Sequence, residues 1–213
     1  MKILIVGAHG QTGIQLVRKW AASNQSVFGL IRDKNQSADI ENAGATPILG
    51  DLEGEIESFV EGMDTVAFCA GSGGHTGADK TILIDMLSAW NLIEAAEREK
   101  VSRFLMLSAM NVETPEQGGA PAHYYAAKRV ADKRLQMSKL NFTIIRPGGL
   151  TNEPPTGKIQ IGLSPSSIGG RRITRADVAE VMAQSLYRES TFRKTFDILN
   201  GDTSINQALD TLS

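Results

Sequence analysis

The chain is poor in cysteine and aromatic rings, and it carries almost no net charge. A single cysteine, Cys69, excludes an internal disulfide, and its place in an apolar run suits a small buried thiol. With 22 Lys and Arg against 24 Asp and Glu, the formal net charge of -2 offers no broad field for nucleic acid or an anionic membrane. No run approaches the roughly 20 apolar residues needed to cross a bilayer. The opening apolar stretch, residues 3–6, meets Gly7 too early to be the core of a signal peptide. His9, His75 and His123 lack ligand spacing, so no metal is expected. These absences lead to an expectation of a cytoplasmic protein with a small-molecule substrate and no nucleic-acid or membrane partner.

What is present is regular alternation. The 213 residues suit one domain, 1–213, around one core, and 41% hydrophobic with 22% charged residues excludes disordered and fibrous classes. Short apolar runs read as strands at 2–6, 26–31, 46–49, 65–69, 104–107, 142–145 and 195–199. Helix-period segments lie between them, clearest at 11–22, 80–98, 124–139 and 175–187. Thr174 stands as a helix cap with Asp177 placed to reach back to it. The pattern predicts an α/β fold, a Rossmann-type doubly wound parallel sheet with helices on both faces. Loops at 71–80, 111–123 and 150–174 carry glycine or proline without a clear period, and are where a substrate is expected.

Gly7-Ala8-His9-Gly10-Gln11-Thr12-Gly13 joins the first strand directly to the first helix. Such a turn needs glycine where the backbone bends, where it approaches a pyrophosphate, and where helix meets sheet. Free amides at the helix start, around Gln11 and Thr12, then face the phosphates at the positive end of the helix dipole. The N-terminal strand–turn–helix context is what raises this motif above an ordinary turn, with His9 as an incidental loop residue. At the end of the second strand, Arg32 stands where an NAD-selective protein places a carboxylate, which favours NADP; Asp33 beside it keeps NAD open.

Tyr124 and Lys128 sit at i and i+4, on one helix face. A phenol with an ordinary pKa of about 10 needs a nearby cation to act as an acid or base at neutral pH. The lysine supplies that cation and could also bond the nicotinamide ribose.

Together, GAHGQTG, AGSGGHTGADKT, HYYAAKRVADKRL and IIRPGGLTNEPPTGK resemble the atypical short-chain dehydrogenase/reductases, in particular small bacterial NAD(P)-binding proteins of the epimerase/dehydratase-like and NmrA-like group. The resemblance covers nearly the whole chain. It implies cofactor contacts at Gly7, Gly10, Gly13, Arg32, Asp51, Leu52, Ala70, Gly71, Lys128 and Pro147, with Tyr124 as the acid/base. Two positions depart from the superfamily pattern. A Ser-Ser pair after the fifth strand is here Ser108-Ala109, leaving Ser108 to orient an acceptor, and Asp85 stands where an asparagine is usual. The expectation is an NADP-dependent oxidoreductase reducing a small carbonyl, quinone or flavin-like acceptor. A non-catalytic NADP(H)-sensing protein is the alternative from another class, and an epimerase/dehydratase-like enzyme a third. The wide apolar stripe of helix 80–98 suggests a homodimer.

Overall fold

The computed structural model describes residues 1–73, 76–115, 121–164, 168–170 and 172–212. His75 and parts of all three expected substrate loops lie outside the described residues.

The chain opens with β1 (Lys2–Val6), α1 (Gly13–Ala21), β2 (Ser26–Ile31), α2 (Ser37–Asn42), β3 (Thr46–Leu49), α3 (Glu57–Val60) and β4 (Thr65–Phe68). A long helical run follows: α4 (Ala78–Lys80), a π-helical segment (Thr81–Ser88) and α5 (Ala89–Arg98). Then come β5 (Arg103–Leu107), α6 (Ala122–Gln136), β6 (Phe142–Pro147), β7 (Gly149–Thr151), β8 (Lys158–Gly162) and β9 (Arg172–Thr174). The chain closes with α7 (Arg175–Ser185), β10 (Lys194–Asn200), β11 (Thr203–Ser204) and α8 (Ile205–Asp210).

One nine-stranded sheet runs β11-β8-β10-β6-β5-β4-β1-β2-β3, parallel from β3 to β10, with β8 and β11 antiparallel at one edge. Strand side chains alternate between faces. Ile3 and Ile5 pack with Leu16, Val17 and Trp20 of α1 and Val178, Val181 and Met182 of α7. Leu4 and Val6 pack on the other face with Leu92 and Ile93 of α5 and Leu135 of α6. The expected doubly wound sheet is what forms. The connection from β3 to β4 crosses over β1 and β2, so the strand order reverses beside β1, where this architecture leaves a crevice at the carboxyl ends.

Two expectations are corrected and one holds. The segment 80–98 is not one α-helix: its first part is π-helical, and Thr81, Asp85 and Ser88 are the buried residues of that part. The segment 150–174 is not simply a loop, since β8 adds to the main sheet and β7 pairs with β9. Thr174 does cap α7, its Oγ1 accepting from Asp177 N at 3.0 Å. The Asp177 carboxylate reaches back as expected, accepting from Thr174 Oγ1 at 2.9 Å, and it also accepts the Thr156 and Gly157 N–H groups, both at 2.9 Å, and so fastens the loop before β8.

Candidate dinucleotide site

The glycines of the first turn have different duties. Gly7 has φ +82°, and a Cβ there would lie 2.6 Å from Ala70 N. A Cβ on Gly13 would lie 2.2 Å from Gly7 O. These two glycines are demanded by the fold. A Cβ on Gly10 would meet only Gly7 O, at 3.1 Å, and Gly10 lines a cleft of about 420 Å³. An open backbone surface at this point, beside the start of α1, is a cradle that a side chain would fill and a pyrophosphate would fit.

The cleft brings together seven of the expected cofactor residues, Gly7, Gly10, Arg32, Asp51, Leu52, Ala70 and Gly71. Arg32 is exposed at its wall. Asp33 is not among the lining residues; its carboxylate accepts Asn35 N at 2.9 Å and caps a 3₁₀ turn. Gly13 is buried under Gly7, and Thr12 is also buried. Gln11 lines a separate cleft with Arg18, Asn152 and Arg175. Pro147 ends β6, its carbonyl accepting Met110 N at 3.0 Å. Cys69 reaches the wall, but burial pushes its thiol pKa up to about 12, so it is inert.

Three residues not expected to touch the cofactor also line the cleft. His9, read as incidental, lines the cleft and its Nε2 lies 2.8 Å from Asp39 Oδ2. Lys80 pairs with Glu53 at 2.5 Å, and both line the cleft. His9 and Lys80 fall within the stretches GAHGQTG and AGSGGHTGADKT, whereas Glu53 is signalled only by lying shortly beyond the end of β3.

Lys128 is 3% exposed and sits below the floor of the cleft. Its Nζ lies 3.1 Å from Asp85 Oδ1 and donates to Ala70 O at 3.3 Å and Leu107 O at 3.4 Å. Burial disfavours its charge most strongly, but Asp85, Tyr124 and Asp132 together more than offset that, and the pKa ends above its ordinary value. Tyr124 is half-buried with its ring centroid 5.9 Å from the ammonium, so the expected pair does share one face. Neither residue lines the cleft itself.

Ser108 is buried beside Asp132 and does not line the cleft. Asp132 Oδ2 accepts from Arg146 Nε at 2.8 Å, and Arg146 also donates to Glu113 Oε1 at 2.9 Å. Asp197, opposite Arg146 in register, is buried and held at a pKa of about 6 by desolvation, with Asp132 and Glu113 adding repulsion. A charged network thus fills the space between α6 and the ends of β5, β6 and β10. Among the described residues no cluster of His, Cys, Asp and Glu is arranged to hold a metal ion.

A family model described as NAD(P)H-binding matches residues 7–189. The uncharacterized sugar epimerase YhfK of Bacillus subtilis is 42% identical over 100% of both chains. A solved structure from Bacillus halodurans, assigned as an NAD-dependent epimerase/dehydratase, superposes with a TM-score of 0.94 at 39% identity, covering 99% of each chain. The oxidoreductase ylbE of Lactococcus lactis superposes at 0.86 with 29% identity, covering 100% of this chain and 96% of that one. The matched span runs from the first glycine of the phosphate turn to beyond α7, and with it the chain belongs to the NAD(P)H-binding Rossmann family, among epimerase/dehydratase-like and short-chain dehydrogenase-like oxidoreductases.

Proposed function

We propose that the chain is an NADP(H)-dependent oxidoreductase acting on a small carbonyl, quinone or flavin-like acceptor. The observation that carries the cofactor choice is the end of β2. Arg32 lines the cleft there, while the neighbouring Asp33 carboxylate is spent on capping its own turn. A guanidinium suits a 2′-phosphate; the ribose hydroxyls favoured by NAD proteins need a carboxylate at the end of β2, where Asp33 does not reach the wall. Calorimetric titration should find NADPH at least about tenfold tighter than NADH, with the difference removed in Arg32→Ala. Equal affinities in the wild type would overturn the assignment.

The bound nicotinamide supplies or accepts a hydride. Gly10 and the amides at the start of α1 hold the phosphates, and Ala70 and Gly71 allow close approach at the end of β4. Tyr124 is the group placed to give a proton to the acceptor oxygen as it is reduced. Tyr124→Phe should lower turnover by roughly 100- to 10,000-fold while cofactor affinity holds. The exposed Ile82, Leu87 and Trp90 on one side of the long helix support a homodimer through that face.

The absence of a hydroxyl at Ala109, with Ser108 buried beside Asp132, favours a second reading, a non-catalytic NADP(H) sensor. The names of the relatives from Bacillus subtilis and Bacillus halodurans favour a third, an epimerase/dehydratase-like enzyme. NADPH binding without reduction of any aldehyde, quinone or flavin, and a Tyr124→Phe variant changed only in stability, would replace the oxidoreductase with the sensor.

A further inference from the structure

Lys128 stands where a charge is hard to keep. Its side chain is almost fully enclosed, and a buried amine tends to give up its proton. Among the described residues it makes one ion pair. Asp85, wholly buried on the π-helical segment, places Oδ1 3.1 Å from Lys128 Nζ. The other groups around the ammonium do less. Ala70 O and Leu107 O accept from it at 3.3 and 3.4 Å but are neutral. Asp132, one turn further along α6, gives its Oδ2 to Arg146 at 2.8 Å. Cys69 keeps its proton, its thiol pushed up to about 12 by burial. Phe68 and Tyr124 present ring faces, with centroids 5.5 and 5.9 Å from the ammonium.

We propose that Asp85 is the residue that keeps Lys128 charged in this enclosed place, so that the ammonium serves the cofactor ribose and Tyr124 at neutral and alkaline pH alike. Asp85 acts through the lysine and is a positioning residue. The inference rests on the reading of this cleft as the dinucleotide site, with Tyr124 and Lys128 beside the bound nicotinamide. An asparagine, expected at this position from the superfamily pattern, would do half of the work. Its oxygen can accept the Ser72 N–H, as Asp85 Oδ2 does at 2.9 Å, but it brings no charge. Burial is the strongest influence on Lys128 and acts against its proton; Asp85 is the strongest acting for it. With the carboxylate removed, burial prevails. The surroundings hold the carboxylate to this task. Ser72 N–H fixes Oδ2, and Gly71 leaves the room that Oδ1 needs, since a Cβ there would lie 3.1 Å from it.

The test compares the wild type with Asp85→Asn in two measurements between about pH 7 and 10. Carbon NMR of the Lys128 side chain in the cofactor-free protein reads the proton directly. The lysine should hold it across the range in the wild type and lose it within the range in Asp85→Asn. NADPH fluorescence titration reads the consequence. Affinity that depends on the ammonium falls as pH rises through the point where the proton leaves. The variant should therefore bind NADPH as tightly as the wild type at the acid end, and about tenfold more weakly at the alkaline end. Taking the two proteins as a ratio at each pH cancels the titration of the cofactor itself.

A lysine that holds its proton to the same pH in Asp85→Asn as in the wild type overturns the proposal. So does an NADPH affinity that is unchanged, or weakened equally, at every pH, since Asp85 would then serve only the shape of the floor at Ser72. Should Asp85→Asn fail to fold, Asp85→Ser, smaller and equally uncharged, is read by the same two criteria. A wild type that binds no NADPH refutes the reading of the cleft, and the proton on Lys128 still decides for or against Asp85.

Discussion

At the Gly7–Gly13 turn the backbone is shaped by atoms that side chains do not have, whereas beneath the far end of the same cleft it is shaped by buried charge. The turn works by local exclusion. A Cβ at Gly7 or Gly13 would strike backbone, and each constraint can be stated for one residue at a time. The far end works by mutual compensation. Asp85 and Lys128 neutralise each other, and Arg146 is shared by Asp132 and Glu113. Steric demands of the first kind are independent and close to additive; charge demands of the second kind are coupled, so removing one member strands the others.

The largest effect expected follows from that coupling. Arg146→Met should destabilise the protein by about 3–5 kcal/mol in urea unfolding, because it leaves the buried Asp132 without its cation, while Glu113 keeps Arg129 and Lys133. Arg103 supplies the control. It is equally buried, stacks on Phe192 at 4.5 Å, and donates to neutral oxygens of Asn141, Thr143, Ser185, Leu186 and Thr191. With no carboxylate at hand, burial lowers its pKa to about 10. Arg103→Met strands neutral acceptors rather than charges, and so should cost less than Arg146→Met. The reverse order would break the comparison.

The turn gives the next effect, and it separates fold from function. Gly13→Ala should cost about 3 kcal/mol, since its methyl would displace Gly7 O from 2.2 Å and the neighbour is backbone. Gly10→Ala should cost no more than about 1 kcal/mol, because its nearest atom at 3.1 Å needs to yield by only a few tenths of an ångström. Yet Gly10→Ala should weaken NADPH binding by about tenfold or more, as the methyl enters the phosphate cradle. Thermal melts with and without NADPH check both halves. A stable Gly10→Ala that binds normally would remove the phosphates from this turn.

The same contrast explains what the sequence discloses. The turn, β1, β2 and the end of β4 are legible because each depends on local patterning: an unbroken apolar run, glycines at fixed intervals, a strand feeding a helix. The i, i+4 spacing likewise places Tyr124 and Lys128 on one face, as found. What Lys128 does with its hydrogens is not local. Its acceptors come from the π-helical segment and from the ends of β4 and β5, and no spacing reports them. The π-helical turn is hidden for the same reason, since its inward polar residues are satisfied by Ser72 and Leu52 from other parts of the chain. β8 is different. Ile159 and Ile161 do alternate with polar neighbours, a strand signal that the surrounding prolines and glycines obscure. β7 and β9, with three residues each, are too short to carry a period.

A pH-dependent effect sharpens the comparison from within the charged region, at Asp197. This carboxylate is 1% exposed, and its Oδ1 has no hydrogen-bond partner among the described residues. Arg146 lies opposite in register, but Asp132 and Glu113 already occupy the guanidinium. Desolvation dominates, and repulsion from those two acids adds to it, so the pKa rises from 3.8 to about 6. In the window between those values the folded protein holds a proton that the unfolded chain has released. Stability therefore falls as pH rises through it, and the penalty stays in full above about 6. Asp197→Asn removes the titration while keeping the shape. The variant should match the wild type near pH 4 and become more stable by about 3 kcal/mol near pH 7, the difference growing across the interval. Urea unfolding at several pH values measures it. A constant difference would mean that Asp197 does not titrate there. A variant less stable than wild type at neutral pH would mean that Asp197 is a working partner of Arg146, and that the coupling in this region extends one carboxylate further than the bonds to Asp132 and Glu113.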